Sequence, residues 1–147
     1  MARPLRFFVV LAAGLVLLAV VATLRTPGHL WIHAGTFGGC PARPSCVSSR
    51  AEDEGHRIAP LVAEGPAEAL RSRLEALLSA DPQARIEHAT PRYLHAVIVS
   101  RWGLRDDLEL LIGDDGVIEV RSLSRFGFND QGRNRARVEA LRKALGG

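Results

Sequence analysis

The stretch that decides the fold is 93–123, YLHAVIVSRWGLRDDLELLIGDDGVIEVRSL. Near its middle, Asp114-Asp115-Gly116 reads as a three-residue hairpin loop, with Gly116 where the chain needs positive φ. Such a loop sets Gly113 opposite Val117. Counting back, Ile112 faces Ile118, Leu110 faces Val120 and Glu109 faces Arg121. The first two pairs form one apolar face of two antiparallel strands, 106–112 and 117–123. The third is an opposite-charge cross-strand pair on the other face. Upstream, 93–101 puts Leu94, Ala96 and Ile98 on one face and Tyr93, His95, Val97 and Val99 on the other. Both faces are largely apolar, which places this strand inside the sheet. His95 then reads as a packed or hydrogen-bonded strand residue rather than a catalyst. The turn at Trp102-Gly103 is compatible with two registers. A fourth strand is expected at 84–89.

Working outward, Gly65-Pro66 opens a helix expected over 66–79, with Pro66 suited to its first turn. Leu70, Leu74, Leu77 and Leu78 share one face, and Glu68, Arg71 and Glu75 the other. Asp81-Pro82 ends it. After the strands, Asn129 or Asp130 caps a last helix whose inner face is Val138, Leu141 and Leu145, and Gly146-Gly147 ends it. Between 50 and 65 the chain reads as irregular, with Ile58, Leu61 and Val62 packing inward. A sheet with an apolar face needs cover, and two helices supply it. The expected fold is α+β: a two-layer sandwich of an antiparallel four-stranded sheet flanked by two helices, in the order helix-β-β-β-β-helix, after an N-terminal transmembrane helix.

That N-terminal helix is expected from 7–24, FFVVLAAGLVLLAVVATL, which is uncharged and has only Thr23 as a polar residue. A helix of this length spans roughly 27 Å, close to the thickness of a bilayer's hydrocarbon core. An uncleaved signal-anchor and a cleaved signal peptide, with Val20-Val21-Ala22 as cleavage site, are both compatible with it. The length of the run and the lack of an Ala-x-Ala favour the anchor. Arg3 and Arg6 precede the run and only Arg25 immediately follows, so the N-terminus is expected in the cytoplasm. The expectation is therefore a membrane anchor at 1–25, a linker at 26–39 and an extracytoplasmic domain at 40–147. The protein would sit in a bacterial cytoplasmic membrane as a single-pass chain with a periplasmic C-terminal domain. In the linker, Trp31 suits the headgroup level. His29 and His33 stand four residues apart without a third ligand nearby, so an interfacial linker is favoured over a metal site.

With 147 residues, 47% hydrophobic and 24% charged, the chain has room for one ordinary domain and is neither a disordered tail nor a coiled coil. Its net charge of +3 resides in Arg3, Arg6 and Arg25, because no acidic residue precedes position 26 and the other 16 basic residues balance 16 acidic ones. A global basic field for nucleic acid is absent, so none is expected as a partner. No P-loop or dinucleotide glycine pattern appears, and no cofactor or metal is expected.

Three groups of residues bear on chemistry. Cys40 and Cys46 flank Pro41-Ala42-Arg43-Pro44-Ser45. In an oxidising compartment they most simply form a disulfide; a free or redox thiol and half of a metal site are the alternatives. Asp106-Asp107-x-Glu109 puts Asp107 and Glu109 on one strand face, an acidic pair that Arg121 partly neutralises. Finally, Arg121, Ser122, Ser124, Arg125, Arg133, Asn134 and Arg137 surround the turn from the last strand into the last helix. Arginines in the first helical turns oppose the macrodipole, which an anion would relieve. Ion pairing with Asp106, Asp107, Glu109 and Asp130 is the structural alternative.

The ordered series C-P-x-x-P-x-C-V-S-S from Cys40, Ile58-x-Pro60-Leu61, Tyr93-Leu94-His95, Asp106-Asp107-x-Glu109 and Val120-Arg121-Ser122-x-Ser124-Arg125-x-Gly127-x-x-Asp130-x-Gly132-x-Asn134-x-x-Arg137 resembles the domain-of-unknown-function family 1499. The resemblance covers about residues 40 to 145. It departs at Ser45, where the family's usual residue is Asn, and at Arg133, where it is hydrophobic. It implies an architecture often preceded by a membrane segment, and supplies no mechanism. Two functions are weighed: a membrane-tethered binding or accessory module of the cell envelope, with the Arg-rich region as a surface for an anionic ligand or an envelope protein partner, and an envelope hydrolase or redox enzyme using Cys40/Cys46 or Asp107/Glu109.

Overall fold

The computed structural model describes residues 2–24, 30 and 36–146, with the side chains of 2–6, 19, 22 and 23 outside the description. His29, Trp31 and His33 lie outside the described residues. In chain order the elements are α1 (Ala2–Leu24), β1 (Cys46–Ser48), β2 (Leu61–Val62), α2 (Ala67–Ser79), β3 (Ala84–Ala89), β4 (Tyr93–Val99), β5 (Arg105–Ile112), β6 (Val117–Ser124) and α3 (Arg133–Ala144).

The N-terminal segment is helical, but among the described residues no helix is long and apolar enough to cross a membrane. The expected transmembrane helix is therefore corrected.

The sheet is the second correction. It has six antiparallel strands rather than four, in the order β1-β6-β5-β4-β3, with β2 also on β6. The two extra strands share one edge of β6: β1 pairs along Arg121 to Leu123 and β2 along Val117 and Ile118. Pieces of three and two residues are too short to show an alternation; β2 lies in the stretch 50–65 that reads as irregular, and β1 at the end of the proline-containing cysteine stretch. They are strands because β6 offers them an open edge. Strand period also corrects one side chain: Leu61 is buried, so its neighbour Val62 points away and is 60% exposed.

The central hairpin has the expected register, with Glu109 opposite Arg121, Leu110 opposite Val120 and Ile112 opposite Ile118. Gly116 adopts φ 78°. The Trp102-Gly103 turn takes the register that pairs Val99 with Arg105. Gly103 bends it at φ 76°, and the Ser100 hydroxyl accepts from the Trp102 and Leu104 amides at 3.3 and 3.1 Å. β4 lies between β3 and β5, inside the sheet.

One face of the sheet carries Leu94, Ala96, Leu108, Leu110, Ile112, Ile118 and Val120. These pack against Leu70, Leu74 and Leu78 of α2, Val138 and Leu141 of α3 and its C-cap Leu145 in one continuous core. The same alternation sends Tyr93, His95, Asp107, Glu109 and Arg121 to the opposite face, where they too are buried. Leu30, Phe37 and the disulfide loop lie on that side, with Leu30 packed on Cys46 and Leu123. The two faces thus differ in chemistry, one apolar and one ionic.

Leu110 is 0% exposed at the middle of the helix-covered face. Leu110→Ala is expected to cost about 2–5 kcal/mol, and the exposed Val62→Ala less than about 0.5 kcal/mol, in urea-denaturation experiments. Equal small losses at both sites would contradict this core.

Candidate functional site

The far face is organised by two carboxylates on β5. Glu109 is 0% exposed. Its Oε1 accepts from the Tyr93 hydroxyl at 2.5 Å and its Oε2 from Arg121 Nε at 2.6 Å, with Arg121 Nη2 closing an ion pair. Arg121 is also fully buried, and its Nη1 donates to the carbonyls of Gly38 and Gly39 at 2.6 and 3.0 Å. The Phe37 ring lies 5.9 Å from the guanidinium carbon. Arg121 thus spends its charge on Glu109 and further donors on the backbone that crosses this face.

One row along, Asp107 receives a two-pronged hydrogen bond from Arg125, Nε to Oδ2 at 2.8 Å and Nη2 to Oδ1 at 2.7 Å. His95 Nε2 lies 2.8 Å from Oδ1. Burial pushes the Asp107 carboxyl up, but the Arg125 and His95 hydrogen bonds and the Arg125 charge outweigh it. The net effect holds Asp107 below the usual carboxylate range.

The helix-covered face has its own polar node where β6 meets α3. The Ser122 hydroxyl donates to Asn134 Oδ1 at 2.7 Å, and Asn134 Nδ2 donates to Ser124 Oγ at 3.0 Å and to the Ser45 carbonyl at 3.1 Å. Arg137 joins Ser122, Asn134 and Asp106, reaching the Asp106 carboxylate at 2.7 Å. Asp130, expected as a cap, accepts from the Gly132 and Asn134 amides at 3.1 and 2.8 Å. A carboxylate of the chain itself therefore meets the amides at the start of α3. Gly132 precedes the helix in a left-handed conformation, φ 77°, which positions those amides.

The seven residues expected around one anion are thus divided between two faces. Arg121 and Arg125 are on the far face with Glu109 and Asp107. Ser122, Ser124, Asn134 and Arg137 are on the helix face with Asp106. Arg133 is exposed, its Nε donating to the Asp130 carbonyl at 3.1 Å. Asp107 and Glu109 do share a face, as expected, and each is bound to its own arginine.

Cys40 and Cys46 form a disulfide, with Cα atoms 5.7 Å apart. The loop they close is pinned to the end of β6: the Ser124 amide donates to the Ser45 carbonyl at 2.9 Å, and Arg43 Nη2 donates to the Ser124 carbonyl at 2.9 Å. Sequence reasoning gave Tyr93, Arg43 and the Gly38 and Gly39 carbonyls no role here. Tyr93 was findable, since it is opposite Leu111 and so diagonal to Glu109 on the same face. The other three come from chain with no strand pattern and carried no local signal.

Over residues 37–145 the chain matches the model of the family described as Protein of unknown function (DUF1499). It belongs to that family. No curated protein and no solved structure matches it. The match spans both faces of the sheet, the disulfide loop and α3, so the ionic face and the polar node both lie inside the DUF1499 region.

Because Asp107 is held below its unfolded value of about 3.9, its ionised form adds stability above that pH, and the gain is lost as pH falls through the folded value. Asp107→Asn leaves Arg125 buried without its counter-charge and is expected to cost roughly 3–5 kcal/mol near neutrality. The gap in melting temperature between wild type and variant should narrow as pH drops below about 4. A gap independent of pH would show that Asp107 is not held ionised.

Proposed function

We propose that this DUF1499 chain is a non-catalytic binding or accessory module of the cell envelope, working outside the reducing cytoplasm. The observation that carries the reading is the internal neutralisation of every group the enzymatic alternative requires. Asp107 and Glu109 are buried and each holds an arginine. A general acid or base needs reach to a substrate proton and a pKa near the working pH; Asp107 is driven the other way. Both cysteines are in the disulfide, and the described chain has no other. A thiol nucleophile would first require its reduction.

The disulfide also supports the compartment, since such bonds persist where the surroundings oxidise thiols. The frame it helps to hold is rigid, with charged groups buried in matched pairs. Its β4–β5 turn and β6–α3 loop carry the exposed aromatics Trp102, Phe126 and Phe128, 75%, 46% and 74% exposed. Exposed aromatics on loops held by a rigid sheet are the usual dress of a partner or ligand surface.

The test is a turnover panel on the purified chain: carboxyl ester, phosphoester and peptide hydrolysis, and thiol-dependent disulfide reduction. No turnover is expected. Any activity that disappears in Glu109→Gln or Cys46→Ser, with the fold retained, would overturn the reading.

Alkylation of protein taken from its native compartment without reductant should label neither Cys40 nor Cys46. Removing the seven-residue link by Cys46→Ser should cost roughly 2 kcal/mol in denaturant titration. Two labels, or no loss of stability, would place the chain in a reducing compartment or make the disulfide incidental.

A further inference from the structure

The geometry points to a binding site for one anionic amphiphile, an alkyl chain bearing a phosphate or carboxylate head, at the β4–β5 turn end of the far face. The inference deepens the binding-module reading and rests on it. A cavity of about 550 Å³ there is lined by Gln83, Arg85, Val97, Val99, Arg101 and Arg105. Among the described residues, these three arginines have no carboxylate partner, whereas Arg121, Arg125 and Arg137 each have one. Arg105 Nε is buried and meets no acceptor. A buried N–H without an acceptor is a standing cost, and an anion at that point relieves it. Glu87 is the one carboxylate in the lining, so the cavity has a formal charge of +2, suited to a phosphate monoester or a single carboxylate.

The cationic cavity adjoins an apolar one. A second cavity, about 340 Å³, shares Val99 and Arg105 with the first and is otherwise lined by Val20, Leu24, Trp102, Leu104, Phe126 and the turn glycine Gly103. The Arg101 guanidinium lies 5.0 Å from the centre of the Trp102 ring, at the junction of the two. A polar ligand would leave the aromatic half unused, and an apolar one would leave three arginines unmet. A head joined to a short chain satisfies both. Another cavity, about 570 Å³, lies elsewhere, against α2 and the β3–β4 turn. Its two arginines, Arg71 and Arg92, already pair with Glu75 and Asp114, so it offers no comparable charge.

The experiment is calorimetric titration of the full-length chain, in a nonionic detergent at fixed ionic strength, with decyl phosphate, decylphosphocholine and inorganic phosphate. Saturable 1:1 binding of decyl phosphate is expected, with the other two at least tenfold weaker. Arg105→Gln should weaken decyl phosphate at least tenfold, and the exposed Arg85→Gln does the same duty if the first variant does not fold. Trp102→Ala should weaken decyl phosphate and leave inorganic phosphate unchanged, and Arg133→Gln should change neither. Equal binding of inorganic phosphate would reduce the site to a bare anion site and overturn the inference. Equal binding of decylphosphocholine, or indifference to Arg105 and Arg85, would show unspecific partitioning and overturn it too. Absence of binding with absence of turnover sinks this inference alone, whereas release of phosphate from decyl phosphate would sink the non-catalytic reading.

Discussion

Asp107 and Glu109 stand two residues apart on β5, both buried on the sheet face away from α2 and α3. A buried carboxylate is tolerated only with counter-charge and hydrogen bonds on its oxygens. That requirement fixes much of the far face. Glu109 needs Arg121 directly across the strand pair and Tyr93 on the diagonal. Asp107 needs Arg125, which is past the end of β6 and must fold back, and His95 from β4. Arg121, buried in turn, needs acceptors for its remaining donors and finds them in the Gly38 and Gly39 carbonyls. The path of the chain before the first cysteine is thereby tied to a charge two strands away.

The helix-covered face obeys a different constraint. Its leucines, isoleucines and valines need area removed from water and little else, so α2 and α3 meet it through interdigitated apolar side chains. Polar groups enter only at the β6–α3 corner, where Ser122, Asn134, Arg137 and Asp106 close among themselves. The disulfide loop belongs to both regions. Through Ser45 it bonds Asn134 on one side, and through Cys46 it packs on Leu123 on the other. Removing it would loosen the junction between the two faces rather than one strand.

This arrangement sets two groups of arginines apart. Those facing the carboxylates of β5 are structural, and their charge is consumed. Those at the β4–β5 turn end, Arg85, Arg101 and Arg105, keep theirs. The same sheet that withholds Asp107 and Glu109 from solvent therefore presents cationic and aromatic side chains together at one end.

By itself the sequence determined the central hairpin, its register, the β4 face assignment and both domain helices. Each of these depends on local periodicity or on a glycine that a turn requires, and Gly116 and the Glu109–Arg121 pair were readable on that basis. The proximity of the two cysteines was equally local, though their oxidised state was one of three readings. Only the tertiary structure decided what β1 and β2 would be, because two- and three-residue strands exist through the edge they join. It also decided whether the arginines around the last turn would meet at one anion or part. Ser122 and Arg121 are neighbours in sequence, yet a strand sends them to opposite faces, where one finds Asn134 and the other Glu109. The Arg121 partner follows from the hairpin turn, whereas contacts between separate elements, such as Asn134 with Ser122 and Ser45, are set by sheet order and burial, and neither is written in a short stretch of chain. The N-terminal segment shows the same limit from the other side: its composition made a helix legible, and composition alone did not carry it to a membrane-spanning element among the described residues.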